Sequence, residues 1–252
     1  MKKVLVIPDI HGRTFWKEPC NKIDEYEKII FLGDYLDPYD FENISIEDAI
    51  ANFEEIVDFA NKNINKVVLL LGNHDLPYFD DYYFGLSKWH CRHSTLYHKD
   101  IHNFFKENRE LFQIAYMYAD ILFTHAGCTK DWLNVLKKKG FNIEHLVSTL
   151  NSLLKSKDGL RCLYMVSRER GGWDLCGSCI WADVSEPYYD YYIQEIAKSP
   201  YVEPNEILEM KQVFGHTLQI PEKEREFGNC KMLDTRNAYK LDIDNFKIEK
   251  YG

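Results

Sequence analysis

An α/β fold built on a buried, mostly parallel sheet is what this sequence predicts, and three observations predict it. Short apolar runs, Val4–Ile7, Ile29–Leu32 and Val67–Leu71, alternate with helix-like segments through the first third of the chain. The length of 252 residues, with 45% hydrophobic and 28% charged residues, fits a globular chain that buries a sizeable core. No heptad run, collagen-like period, low-complexity tract or internal repeat competes with that reading.

Taken in order, Val4–Ile7 is the first strand. It follows Met1-Lys2-Lys3 as a signal peptide would, but Pro8, Asp9 and His11 end it before an apolar region of about 7–15 residues can form. Trp16–Tyr26 is a polar, helix-like segment leading to the strand Ile29–Leu32. Ser45–Ala60 is predicted helical, because Ile46, Ile50, Phe53, Ile56 and Val57 recur at helical spacing and Ser45 with Asp48 resembles a capping box. Val67–Leu71 is the third strand. Residues 76–110 break the rhythm with a run of Tyr, Phe, Trp and His, and form an insertion in a single domain spanning 1–252. Strands are expected at Gln113–Tyr118 and Ile121–Thr124, and helices at Lys130–Lys139, Ile143–Lys155, Tyr188–Ala197 and Pro204–Lys211. The tail returns to strands at Gln212–Phe214, Cys230–Leu233, Tyr239–Asp242 and Phe246–Glu249, the last two as a hairpin.

The formal charge of −9 argues against a protein that grips nucleic acid through a basic surface. No apolar run approaches the roughly 20 residues of a membrane span. Seven cysteines without an export signal are expected to be free thiols in a reducing cytoplasm.

The chemistry lies at the strand ends. After the apolar runs come Asp9-Ile10-His11-Gly12, Gly33-Asp34-Tyr35-Leu36-Asp37, Gly72-Asn73-His74-Asp75, Thr124-His125-Ala126-Gly127 and Gly215-His216-Thr217. In open α/β sheets ligands bind beyond the carboxyl ends of strands, and neighbouring strands lie about 4.8 Å apart, so side chains offered there converge. The set Asp9, His11, Asp34, Asn73, His125 and His216 is mixed oxygen and nitrogen without cysteine, which suits Mn, Fe, Zn, Co or Ni better than a pure Mg or Ca cage. Six such residues are too many for one tetrahedral ion and fit two ions about 3.5–4 Å apart.

These five segments, PDIHG (8–12), GDYLD (33–37), GNHD (72–75), THAG (124–127) and GHT (215–217), resemble in order and interval the calcineurin-like metallophosphoesterase superfamily, and within it the phosphoprotein phosphatase branch. The resemblance implies a four-layer αββα sandwich of two mixed β-sheets flanked by helices, and two divalent metal ions, manganese first. It implies that Asp9 and His11 bind the first metal, that Asp34 bridges, and that Asn73, His125 and His216 bind the second. A hydroxide held between the metals would attack phosphorus, and His74, oriented by Asp37, would assist the leaving group. Trp181-Ala182-Asp183 and Leu233-Asp234-Thr235 resemble further family segments.

Three positions depart from the pattern. Pro38 follows Asp37 where the family places an Arg, Leu71 precedes Gly72 where another is usual, and Asp75 stands in place of Glu. A phosphate-binding Arg must come from elsewhere, with Arg13 the best candidate and Arg168 and Arg170 weaker ones. The substrate is then a phosphorylated one: a phosphoserine or phosphothreonine protein, a small phosphomonoester, or, as the alternative, a dinucleoside polyphosphate. A non-catalytic binding scaffold is the rival from another class. The insertion has two readings, rings that close the core or a lid over substrate. Cys176 and Cys179 are read as ordinary thiols because no second ligand pair follows them. Trp89–His93 is read as surface aromatic insertion rather than a metal site.

Overall fold

The computed structural model describes residues 2–87, 90–188, 209–218 and 224–252. The described strands are β1 (Lys3–Ile7), β2 (Lys28–Phe31), β3 (Val67–Leu70), β4 (Phe112–Gln113), β5 (Ala115–Tyr118), β6 (Ile121–Thr124), β7 (Lys211–Phe214), β8 (Arg225–Phe227), β9 (Cys230–Met232), β10 (Tyr239–Asp242) and β11 (Lys247–Lys250). The described α-helices are α1 (Lys17–Cys20), α2 (Ile46–Lys62), α3 (Leu76–Phe79), α4 (Asp81–Ser87), α5 (His98–Glu107), α6 (Lys130–Lys138), α7 (Leu146–Ser152) and α8 (Lys157–Leu163). They build two compact units, Met1–Gln113 with Thr235–Gly252, and Ile114–Asp234. Each unit carries one mixed sheet with helices beside it, which is the α/β class the sequence predicts.

In the first unit the strand order is β11-β10-β1-β2-β3-β4. β1 to β4 run parallel, and β10 closes onto β1 antiparallel with Val6 opposite Tyr239. Val4 to Ile7 and Ile29 to Phe31 are wholly buried on both faces, as strands of a parallel sheet covered on both sides must be. Helix α2 buries Ala49, Phe53, Ile56, Val57 and Ala60. Its cap is half the expected box. Ser45 Oγ accepts the Asp48 N–H at 3.0 Å, but the Asp48 carboxylate takes the Ser45 hydroxyl at 2.7 Å rather than a backbone N–H. The insertion folds into α3, α4 and α5. Phe105 of α5 lies 4.8 Å from Phe53 and 5.0 Å from Phe112 between ring centroids, so these rings fill core.

In the second unit the order is β5-β6-β7-β9-β8. β6, β7 and β9 are parallel, with antiparallel strands at both edges. Val184, Phe214, Phe227, Cys230 and Met232 form one of its apolar clusters.

Four expectations change. Gln113–Tyr118 is not one strand: Gln113 ends β4 in the first sheet and Ala115 opens β5 in the second, with the N–H groups of Ile114 and Ala115 both donating to Asn151 Oδ1 at 2.8 and 2.9 Å. The segment Trp16–Tyr26 holds only the single turn α1 and a 3-10 turn at Ile23–Glu25. Helix α7 starts at Leu146 rather than Ile143 and passes into a 3-10 turn at Leu153–Lys155. Helix α8, capped by Ser156 Oγ on the Gly159 N–H, is additional. A Cβ on Gly159 would meet the Leu153 carbonyl oxygen at 2.2 Å, so close backbone approach requires a glycine there. The expected helix Tyr188–Ala197 lies outside the described residues beyond Tyr188. So does most of Pro204–Lys211, whose last residue opens β7 instead.

Candidate metal centre

The six expected ligands divide between the units. Asp9, His11, Asp34 and Asn73 belong to the first, and His125 and His216 to the second.

In the first unit, the turns that follow β1, β2 and β3 are laced together. The N–H groups of Ile10 and His11 donate to the Asp34 carbonyl, and that of Gly12 to the Tyr35 carbonyl. Gly33, at φ +108°, lies against Gly72. A Cβ on Gly33 would sit 2.4 Å from the Gly72 nitrogen, and one on Gly72 would sit 2.1 Å from Asp34 Oδ1. Only a glycine pair permits that approach. Asp75 fixes the same junction: its buried carboxylate accepts the N–H groups of Asp34 and Gly72 at Oδ2 (2.7 and 2.8 Å) and that of Tyr35 at Oδ1 (2.9 Å). His11, Asp34 and Asp37 all take left-handed backbone angles, φ 44°, 53° and 58°. Such conformations are costly for non-glycine residues and are held here by the surrounding hydrogen bonds.

This framework brings Asp9, His11 and Asp34 together, each buried, with ligand atoms all within 4.8 Å of one another. His11 Nδ1 donates to the Leu36 carbonyl at 2.9 Å, so Nε2 carries the lone pair and faces Asp34 Oδ2 at 3.5 Å. Burial, ahead of all other influences, pushes the His11 pKa down from 6.5 to about 3, so the ring is neutral. Two acceptors face each other with no proton between them, beside a second buried carboxylate. Uncompensated buried charge is costly, and a cation is what such a set accepts. The donors therefore fit a divalent metal of the mixed oxygen and nitrogen kind. Asn73 is buried in the turn after β3, and its carbonyl accepts the Cys91 thiol at 3.2 Å.

His74 and Asp37 also meet. His74 Nδ1 lies 2.9 Å from Asp37 Oδ2 and 3.2 Å from the Arg92 carbonyl, and the His74 N–H donates to Asp34 Oδ1 at 2.9 Å. Burial opposes the His74 proton, but the Asp34 charge and the Asp37 hydrogen bond outweigh burial and raise its pKa. Tyr78 OH donates to Asp37 Oδ1 at 2.6 Å and accepts the Ser94 N–H at 2.6 Å. Arg13 donates from Nε to Glu42 at 2.9 Å and from Nη1 to the Asp9 carbonyl at 3.2 Å.

In the second unit, the turns after β6 and β7 place His125 Nε2 3.1 Å from His216 Nδ1, both buried. The Gly215 N–H donates to the His125 carbonyl at 2.7 Å, and the Ala126 N–H to the Cys179 carbonyl at 2.8 Å. His216 is left-handed at φ 70°, and Trp181 packs edge-on to it with centroids 5.8 Å apart. Arg170 Nη2 reaches the His216 carbonyl at 3.5 Å, whereas Arg168 stands exposed on the same turn. All seven cysteines are free and buried.

Sequence reasoning missed Asp75 as an anchor, Tyr78 behind Asp37, and Arg92. Tyr78 lies one helical turn beyond Asp75, a signal the sequence does carry. Arg92 is hidden inside the His- and Cys-rich run 89–93, of which Trp89 is outside the described residues.

The model of the calcineurin-like phosphoesterase family matches residues 2–218, and the chain belongs to that family. Among solved structures, a candidate diadenosine tetraphosphatase is similar at 12% identity and a TM-score of 0.48, over 99% of this chain and 93% of that one. A metallophosphoesterase from Sphaerobacter thermophilus is similar at 14% identity and a TM-score of 0.29, over 50% of this chain and 46% of that one. No curated protein matches the chain. Family and donor set together support a metal-dependent phosphoesterase acting on a phosphorylated substrate. No helix among the described residues is long and apolar enough to cross a membrane.

Proposed function

We propose that the chain is a dinuclear-metal-dependent phosphoester hydrolase that acts on phosphomonoesters, whether on a phosphorylated protein or on a small molecule. The observation that carries this reading is the buried convergence of Asp9, His11 and Asp34 beside the His74–Asp37 pair. Asp9, His11, Asp34, Asn73, His125 and His216 would hold two divalent ions, manganese first. Bound there, such ions would supply positive charge to polarise a phosphoryl group and to lower the pKa of water.

The chain's own residues do the rest. Asp34 is fixed by its backbone bond into Asp75, and its Oδ1 is fixed by the His74 N–H. Asp37 holds the proton on His74 Nδ1, which leaves Nε2 to donate to the departing alkoxide. Tyr78 and Ser94 keep Asp37 in place. Arg13 braces the Asp9 turn through its carbonyl. Free buried thiols fit a cytoplasmic setting.

Stripping the protein of metal should abolish hydrolysis of p-nitrophenyl phosphate, and Mn²⁺ should restore it. Undetectable turnover with every divalent transition metal would favour a binding scaffold instead. Phosphate release from a phosphopeptide, run beside chromatography of products from diadenosine tetraphosphate, separates the phosphomonoester reading from the dinucleoside polyphosphate one.

A further inference from the structure

We propose that Arg92, delivered by the insertion at 76–110, is the substrate's phosphate-binding cation: an exposed guanidinium fixed beside the His74–Asp37 pair by the Asp37 carbonyl and the Tyr39 ring. The proposal rests on the phosphoester-hydrolase reading above and deepens it.

Three contacts join the segment between α4 and α5 to the turns that carry the chemistry, and a fourth joins it to Tyr78 of α3, which holds Asp37. The Cys91 thiol donates to the Asn73 carbonyl at 3.2 Å, and the Arg92 carbonyl lies 3.2 Å from His74 Nδ1. Arg92 Nη2 donates to the Asp37 carbonyl at 3.1 Å, and the Ser94 N–H donates to Tyr78 OH. The insertion therefore does more than fill core. One stretch of it is bonded to Asn73, His74 and Asp37 in turn.

The guanidinium itself is held from both sides of Pro38. One nitrogen bonds the carbonyl before Pro38, and Cζ lies 4.0 Å from the centroid of the Tyr39 ring after it. Stacking of this kind fixes a guanidinium without consuming its charge. Among the described residues no carboxylate pairs with Arg92, and its other N–H groups have no hydrogen-bond partner. Arg13 differs. Its side chain is 11% exposed, and its charge is already met by Glu42 at 2.9 Å. Arg92 is exposed. A phosphoryl group meeting buried Asp9 and Asp34 needs donors that are fixed in place, cationic and uncommitted, and Arg offers two parallel N–H groups to phosphate oxygens. Of the two arginines stacked on Tyr39, only Arg92 meets that description.

The test compares wild type, Arg92→Gln, Arg92→Lys and Arg13→Gln, all Mn²⁺-loaded. It measures KM and kcat for p-nitrophenyl phosphate, the inhibition constant of inorganic phosphate, metal content and thermal midpoint. Arg92→Gln should raise both KM and the phosphate inhibition constant by about tenfold to a hundredfold, with metal content unchanged. Arg92→Lys should recover part of that loss, because it keeps the charge and loses the fork. A loss confined to kcat, with phosphate inhibition within twofold of wild type, would make Arg92 only a brace for His74 and overturn the proposal. So would a larger effect on phosphate inhibition from Arg13→Gln than from Arg92→Gln. If Arg92→Gln melts early, the Lys variant decides on the same two constants. If wild type hydrolyses nothing, the hydrolase reading fails, and calorimetry of inorganic phosphate binding to wild type and Arg92→Lys still tests Arg92. Weaker binding by the variant supports its role, and equal binding removes it.

Discussion

His74 carries the sharpest residue-scale consequence. Its raised pKa comes from the Asp34 charge and the Asp37 hydrogen bond prevailing over burial, so the proton it would donate is held by carboxylates. His74→Asn should keep metal content and lower kcat by about 10²–10⁴-fold, the usual contribution of a positioned acid. Asp37→Asn removes one of the groups that raise the His74 pKa. The acid must be protonated to act, so activity falls as pH rises through that pKa. Lowering the pKa should therefore move the alkaline limb of the kcat profile to lower pH. A pH titration of kcat checks this, and an unmoved limb would mean that Asp37 does not hold the proton.

At the scale of elements, the site depends on how three strand-end turns are tied. Asp75 accepts three backbone N–H groups from the turns after β2 and β3. Asp75→Ala would leave three buried donors unmet and should cost about 3 kcal/mol or more, measured by urea unfolding of the metal-free protein. A cost under about 1 kcal/mol would show that other groups carry the junction. The turns themselves were legible in the sequence, because a strand ending in Gly beside Asp, His or Asn leaves a mark at each of five places. What was not legible lacks a local mark. The break between Gln113 and Ala115 falls inside an unbroken apolar stretch and depends on Asn151, far along the chain. Helix α8 contains a glycine whose purpose is close packing on Leu153. Arg92 reaches Asp37 across 55 residues of sequence, a separation no motif spacing encodes.

At the scale of the whole molecule, an anionic chain of formal charge −9 must attract an anionic substrate. Local cations have to reverse the sign of the field where phosphate binds. That task falls to the two proposed metal ions and Arg92, with candidate ligands on three turns of the first unit and two of the second. Elemental analysis of the chain after Mn²⁺ loading and dialysis tests this most directly. The account predicts about two ions per chain, reduced in both Asp34→Asn and His216→Ala. Wild type that retains no metal, or both variants retaining as much as wild type, would contradict it.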